Sequence, residues 1–179
     1  CSSDLALNEQ RLIAGSTSLV QMSPLRQRLS TLKDALAMQP GVIIQEFFGL
    51  NDQPRLNIRG SGIQSNPQRR GVYLLQDGIP VNFADGSYII GVMDPMTAHF
   101  VEVFKGANAL NFGASTLGGA INFVSPTANK QHGANMRIKA EGGSYGYRAV
   151  AASMGYRWQT SDAHISTSYS AQDGHRLYN

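Results

Sequence analysis

The residues that follow Pro126 alternate between two kinds of side chain in runs of about ten, and this limits the fold more than any other feature. Alternation with a period of two predicts strands whose two faces meet different surroundings. Short polar turns join the runs, so antiparallel pairing is expected. A soluble antiparallel meander and the strands of a transmembrane barrel fit the pattern equally well. One phase holds Met136, Ile138, Ala140, Tyr147, Ala149, Ala151, Ser153, Gly155, Ile165, Thr167 and Tyr169, and the other carries Arg137, Lys139, Glu141, Arg148 and Arg157.

The residues before Pro126 mix helical and strand patterns instead. Ser30–Met38 predicts a helix that is capped by Ser30 or Thr31 and ended by Pro40-Gly41. A half-buried strand is predicted at "RLNIRG", and a buried strand at "GVYLLQDGIPV" that turns at Asp77-Gly78. Further strands are predicted at Ser18–Gln21, Gly41–Phe48 and His99–Gly106, and a long irregular loop at 82–95.

Charge and cysteine content exclude several classes of protein. Of the 179 residues 15% are charged, and the net charge of +3 does not by itself favour a nucleic-acid partner. No run of 18 apolar residues occurs, so no transmembrane helix is predicted, whereas membrane strands remain open. Cys1 is the single cysteine, which excludes an intrachain disulfide. It is either a lipidated mature N-terminus or the result of an arbitrary cut.

A glycine-dense stretch lies between two predicted strands, in "VEVFKGANALNFGASTLGGAINFVS" (Val101–Ser125). Glycine allows positive φ and close backbone approach, so a tightly turning connection is expected there. A phosphate-binding loop is disfavoured because "GASTLGG" lacks the Lys-Ser/Thr pair and no helix is predicted after it. The glycines expected to serve as backbone turns are Gly60, Gly78, Gly106, Gly113, Gly118 and Gly119.

Five short motifs occur in an order and at a spacing that are typical of one family. With the strand alternation after them, they make the chain resemble the plug domain and first barrel strands of a TonB-dependent outer-membrane receptor. The "DGIP" loop and the "GGAINFVS" ending are most similar to the ferric-citrate and ferric-siderophore branch. The motifs are "TLKDALAMQPGV" (Thr31–Val42), "NIRGSG" (Asn57–Gly62), "YLLQDGIPV" (Tyr73–Val81), "VEVFKG" (Val101–Gly106) and "NFGASTLGGAINF" (Asn111–Phe123).

The resemblance implies an α+β plug, with a small mixed sheet, short helices and long loops, followed by antiparallel transmembrane strands. Residues 1–29 would lead into the plug, 30–126 would form it, and 131–179 would be the first strands of a barrel of about 22 strands. About three strands fit in that last segment and cannot close a barrel, which implies a fragment or a truncated product. The TonB-binding box of the family is not evident before Leu12, which puts energy coupling by this chain in doubt.

Plug seating is the first role that the resemblance implies for particular residues. In the family, basic residues of two plug motifs pair with glutamates of the barrel wall. The matching positions are Arg59 and Lys105, and Glu102 is added as a third contact between plug and barrel. A lysine at position 105 departs from the usual arginine and forms a less rigid contact. The alternative is that Arg59 is a solvated surface charge.

Ligand binding is the second implied role, on two polar loops that are expected at one outward-facing end of the plug. Ferric siderophores and ferric citrate are commonly anionic, and arginine offers paired donors to carboxylate or hydroxamate oxygens. The alternative for each residue is ordinary solvation. The candidates are Gln64, Asn66, Gln68, Arg69 and Arg70 on the first loop and Asn82, Asp85, Ser87 and Tyr88 on the second.

The function implied is energy-dependent uptake of a ferric chelate across the bacterial outer membrane. The expected partners are the chelate, TonB, outer-membrane lipid and the rest of the barrel, with no nucleic acid, resident metal or cofactor. A docking module without transport is the alternative from another class, and copper or haem are alternative ligands. Met93, Met96 and His99 offer soft ligands for copper, although Met96 is expected in the core. No catalytic motif occurs, so an enzyme is not expected.

Overall fold

A computed structural model of the chain describes residues 16–22, 31–45, 54–61, 71–90, 93–113, 118–126 and 133–173. The first part, up to residue 126, is called the N-terminal unit below, and the last three strands are called the wall sheet. The strands are β1 (Thr17–Gln21), β2 (Val42–Gln45), β3 (Arg55–Ile58), β4 (Val72–Gln76), β5 (Ile79–Pro80), β6 (Phe100–Lys105), β7 (Gly119–Val124), β8 (Gly133–Gly142), β9 (Arg148–Arg157) and β10 (Asp162–Ala171). Helix α1 spans Leu32–Leu36, and a 3₁₀ helix spans Gly106–Phe112.

Three sheets organise these strands. The N-terminal unit is built on a five-stranded sheet in the order β1-β6-β7-β4-β5. In it β4 and β7 run parallel and the other neighbours antiparallel. Strands β2 and β3 form a separate antiparallel pair, and β8, β9 and β10 form the antiparallel wall sheet. The predicted α+β unit followed by antiparallel strands is confirmed.

Helix α1 forms where the sequence predicts it, although it is shorter. Thr31 is its N-cap, since the Thr31 hydroxyl accepts a hydrogen bond from the Asp34 amide at 3.1 Å. The Asp34 carboxylate accepts in return from the Thr31 amide, which completes a capping box. Leu32, Ala35 and Leu36 are buried, so the apolar face of the helix joins the main core.

Strand β3 corrects one sequence prediction, because it is not half-buried. Leu56 and Ile58 are buried as expected, but Asn57 between them is also only 6% exposed. Its side-chain oxygen accepts a hydrogen bond from the Gly60 amide at 2.8 Å. The polar side chain is tolerated inside the unit because it stabilises the Arg59-Gly60 turn, where both residues have positive φ.

The glycine-dense stretch contains one element that the sequence did not predict, the 3₁₀ helix after β6. Beyond it, Gly118 and Gly119 pass close to neighbouring backbone, as expected. Gly119 has φ 158°, and a Cβ there would lie 2.5 Å from the Phe104 carbonyl oxygen. A Cβ on Gly118 would overlap the Ser61 side chain. Four more of the predicted turn glycines have positive φ, namely Gly60, Gly78, Gly106 and Gly113.

The wall sheet turns its apolar side chains away from the N-terminal unit. Met136, Met154 and Ile165 are cross-strand partners, so they share this outward face, and all are more than half exposed. The inward face of β9 carries Tyr147 at its start and small residues after it. Within the phase that the sequence analysis lists first, Tyr147, Ala149 and Ala151 therefore face inward. Met136 and Ile138 of β8 and Ile165 of β10, which belong to the same list, face outward. No helix in the described ranges is long and apolar enough to cross a membrane.

Candidate ligand and seating sites

The two predicted ligand loops start from one end of the five-stranded sheet. Gly71 follows the first loop and accepts a hydrogen bond from the Gly118 amide at 2.9 Å. Ser61, the first residue of the same loop (Ser61–Arg70), lies beside Gly118. Asn82 opens the second loop, and its side-chain amide donates to the Val72 carbonyl at 3.0 Å. The bases of both loops therefore converge on the first residues of β4.

Asn82 has a structural role at this end of the sheet. Its side-chain oxygen accepts from the Leu74 amide at 2.7 Å, while its nitrogen donates to the carbonyls of Val72 and Gly86. The side chain thus imitates a peptide group and continues the two-residue pairing of β5 along the edge of β4. Because both ends of the amide are engaged, Asn82 shapes the loop rather than presenting free donors to a ligand.

The rest of the second loop divides into a buried side and an exposed tip. Tyr88 is 4% exposed and its hydroxyl donates to the Leu56 carbonyl at 3.3 Å, so it does not point outward as the ligand prediction requires. Asp85 is exposed, and its carboxylate accepts from the amide and the hydroxyl of Ser87. Phe83 is 55% exposed at the same tip. Gln64, Asn66, Gln68, Arg69 and Arg70 lie outside the described residues.

Two cations meet where β6 ends. Lys105 is only 4% exposed, and its ammonium donates to the Ser18 hydroxyl at 2.9 Å. The Arg59 side chain lies against Gly106, where a Cβ would be 3.1 Å from an Arg59 guanidinium nitrogen. Burial and, secondly, the charge of Arg59 lower the pKa of Lys105. Arg59 itself is exposed, which also fits the alternative of a solvated surface charge, so the predicted seating contact of both residues stays a prediction.

Glu102 lies on the same strand but does not join this cation pair. Its carboxylate accepts from the side-chain amide of Asn122 at 2.8 Å. The Asn122 oxygen in turn accepts from the Gly78 amide at 2.9 Å, so Glu102 supports the Asp77-Gly78 turn. The described bond of Glu102 thus lies inside the N-terminal unit, and its predicted contact with a barrel stays a prediction.

The residues considered for copper are packed rather than presented to solvent. Met93 belongs to the main core, while Met96 packs with Tyr147, Ala149 and Ala151 in another apolar cluster. His99 is partly buried, and burial together with the charge of Arg137 lowers its pKa. In the described ranges, no three His, Cys, Asp or Glu side chains are grouped to hold a metal ion.

One polar residue that the sequence assigned only to a phase of the alternation proves to be a buried contact. Lys139 of β8 is 8% exposed and donates to two main-chain carbonyls of the N-terminal unit. The alternation placed it in the charged phase but did not show which phase faces inward. Nor could its acceptors be predicted, because every residue has a main-chain carbonyl whatever its side chain.

Comparison with protein families and curated proteins identifies relatives of this architecture. A family model described as the TonB-dependent receptor plug domain matches residues 9–120. The vitamin B12 transporter BtuB of Vibrio vulnificus strain YJ016 is 27% identical over 128 residues, which are 69% of this chain and 20% of that protein. The chain therefore spans about a fifth of the length of the curated relative it matches.

Solved structures share the fold at low identity. The copper transporter OprC superposes with a TM-score of 0.67 at 16% identity, covering 88% of this chain and 24% of that one. A mutant of the ferric enterobactin receptor PfeA from Pseudomonas aeruginosa gives a TM-score of 0.64 at 17% identity, covering 90% and 25%. The named ligands of these similar proteins differ, so the fold alone does not select one.

Proposed function

This chain belongs to the family of TonB-dependent receptor plug domains, and on that premise we propose that it is part of a receptor that takes up a ferric chelate. Such receptors are proteins of the bacterial outer membrane and are not enzymes. In this proposal residues 1–29 lead into the plug, 30–126 form it, and 131–179 are the first strands of the barrel wall. The chelate is a transported ligand, and no cofactor is required.

The convergence of the two loop bases carries the proposal. Both loops leave the sheet beside Val72, the first residue of β4, where Gly71 and Asn82 are held by hydrogen bonds. A ligand that approaches this end would therefore meet both loops together. The second loop contributes its exposed tip around Asp85, and the buried Tyr88 is left out of the proposed contacts.

The charges of the first loop suggest the ligand class. Arg69 and Arg70 are adjacent, and no acidic residue lies between Arg55 and Arg70. Guanidinium groups pair well with carboxylate and hydroxamate oxygens, and each charge-assisted bond contributes roughly 1.5–3 kcal/mol. Gln64, Asn66 and Gln68 add neutral donors. A cluster of this kind suits an anionic ferric chelate such as ferric citrate or a ferric siderophore.

The cation pair at the end of β6 gives the proposal its seating contact. Arg59 and Lys105 lie together without an acidic partner in the described ranges, and the pKa of Lys105 is lowered. Carboxylates from the rest of the barrel would compensate both charges and fix the plug within the wall. Coupling to TonB belongs to the same proposal and would drive the plug to admit the ligand.

The proposal is tested by replacing both loop arginines in the full-length receptor, as Arg69→Ala with Arg70→Ala. Binding of ferric citrate or a ferric siderophore should weaken about tenfold or more, because two charge-assisted bonds are removed. Titration of the purified receptor with each chelate measures this effect. Lys33→Ala, on the exposed side of α1, is the matched control and should leave binding unchanged.

Three outcomes would contradict the proposal. Unchanged chelate binding in the double variant would remove the loops from the binding site, even if uptake failed. Binding of cobalamin or a copper complex, with no ferric chelate bound, would overturn the ligand class. A receptor that bound the chelate but never accumulated it in cells would instead support the docking alternative.

A further inference from the structure

The loop that precedes β6 docks on the inward face of the wall sheet. Met96, at the centre of this loop, is 4% exposed and packs with Tyr147, Ala149 and Ala151 of the wall. The Tyr147 hydroxyl donates to Glu141 of β8 at 2.8 Å, which fixes the ring beside the methionine. Residues 94–99 are called the docking loop below.

Lys139 joins the docking loop to a second segment. Its ammonium donates to the Met96 carbonyl at 3.2 Å and to the Met22 carbonyl at 3.5 Å. Met22 directly follows β1, and its own amide donates to the His99 carbonyl at 3.3 Å. One buried side chain of β8 therefore contacts both the docking loop and the end of β1.

The surrounding charges do not replace these carbonyls as partners. Asp94 and Glu141 attract Lys139, whereas Arg137 repels it. The carboxylate of Asp94 is occupied elsewhere, since it accepts from the Met96 amide at 2.8 Å and from the Ser168 hydroxyl of β10. The described hydrogen bonds of the ammonium thus go to neutral main-chain oxygens.

We propose that Lys139 is a reversible latch that holds the end of β1 and the docking loop to the wall sheet together. Strand β1 is at one edge of its sheet and, within the described ranges, pairs with β6 alone, so it can separate more easily than the inner strands β6, β7 and β4. An ammonium bound to neutral carbonyls can exchange them for water without leaving a buried carboxylate unpaired. One side chain would thereby restrain both β1 and the docking loop. It goes beyond the proposed function and does not depend on any ligand.

The latch is tested in the full-length receptor by Lys139→Met, which keeps much of the side-chain length and removes the donors. Amide hydrogen exchange should become at least tenfold faster both in residues 17–22 and in residues 93–99. Exchange in β4 should stay unchanged, because that strand lies inside the sheet between β7 and β5. No ligand is added, so failure of this test is separate from failure of the proposed function.

Two further variants separate a latch from simpler effects. Arg137→Met removes a cation from the same face of β8, two residues away, and should leave both segments at wild-type exchange. Ser168→Ala removes the bond to Asp94 and should loosen the docking loop while residues 17–22 keep their protection. Lys139→Leu, which likewise has no donor, gives the same test if the methionine variant does not insert into the membrane.

The outcomes decide the proposal. Faster exchange in both segments with Lys139→Met or Lys139→Leu, and not with Arg137→Met, supports the latch. Unchanged exchange in residues 17–22 overturns it, because the hydrogen bond from Lys139 to Met22 would then not stabilise β1. An equal response to Arg137→Met also overturns it, since the effect would be one of charge alone.

Discussion

The N-terminal unit and the wall sheet use apolar side chains in opposite ways. In the N-terminal unit they point inward, and Leu36, Ile58 and Ile121 are fully buried in its main core. In the wall sheet the large apolar side chains point outward, while small residues such as Ala149 and Ala151 face the unit. The same chain therefore contains one region that makes its own core and another that presents its large apolar side chains outward.

This difference shows why alternation alone could not decide between a soluble meander and a membrane wall. Both have strands with two unlike faces, and only the position of the N-terminal unit identifies which face is inside. Each outer strand of the wall sheet pairs on one side only among the described residues. A lipid-facing sheet with open edges is not stable, so if the wall sheet faces lipid, its outer strands must pair with further strands.

The largest expected effect comes from separating the two regions. Residues 1–126 expressed alone should be soluble, because most large apolar side chains in their described part are buried within the N-terminal unit. Residues 131–179 expressed alone should be insoluble without detergent, because open strand edges and an apolar face favour aggregation. Solubility after expression, followed by size-exclusion chromatography, measures both. A folded, monodisperse soluble product from residues 131–179 would remove the membrane-wall interpretation.

Much of this architecture could be predicted because it depends on local pattern. A few neighbouring residues are enough to predict the cap at Thr31, the Asp77-Gly78 turn and the ten-residue alternation. The inward burial of Asn57 and Tyr88 could not be predicted in this way. Both depend on bonds formed by the fold, with Gly60 across a turn and with Leu56 across the unit.

The candidate site was predictable only in outline. The motifs located two polar loops, and the structure brings their bases to the start of β4. The role of Asn82 was not predictable, because an amide that imitates backbone has the same sequence signal as one that binds ligand. The 3₁₀ helix at Gly106–Phe112 was missed for a related reason, since a short helix of small residues has little periodicity.

A smaller effect is expected when the same substitution is made at one glycine in each region. Gly119→Val should destabilise the N-terminal unit by about 3 kcal/mol or more, because of the positive φ and the close Phe104 carbonyl. Gly142→Val in β8 should change stability by about 0.5 kcal/mol or less, since the nearest atom to a Cβ there is 4.0 Å away. Urea unfolding of the full-length receptor in detergent measures both. Equal losses at the two positions would contradict the strained, close-packed conformation of Gly119.

The smallest expected effect tests what surrounds two equally exposed isoleucines. Ile138, in the middle of β8, is 61% exposed, and Ile79, at the start of β5 in the N-terminal unit, is 67% exposed. If the outward face of the wall meets lipid, Ile138→Lys places a charge near the bilayer midplane and should cost about 2 kcal/mol or more.

Ile79→Lys is the matched substitution outside the wall and should cost about 0.5 kcal/mol or less, since exposed positions in water tolerate lysine. Both variants are compared by the denaturant midpoint of the full-length receptor folded in lipid vesicles. Exposure is nearly the same at the two sites, so a difference between the midpoints reports the medium and not the fold. Equal midpoints would mean that water covers Ile138, and the wall sheet would then not face lipid.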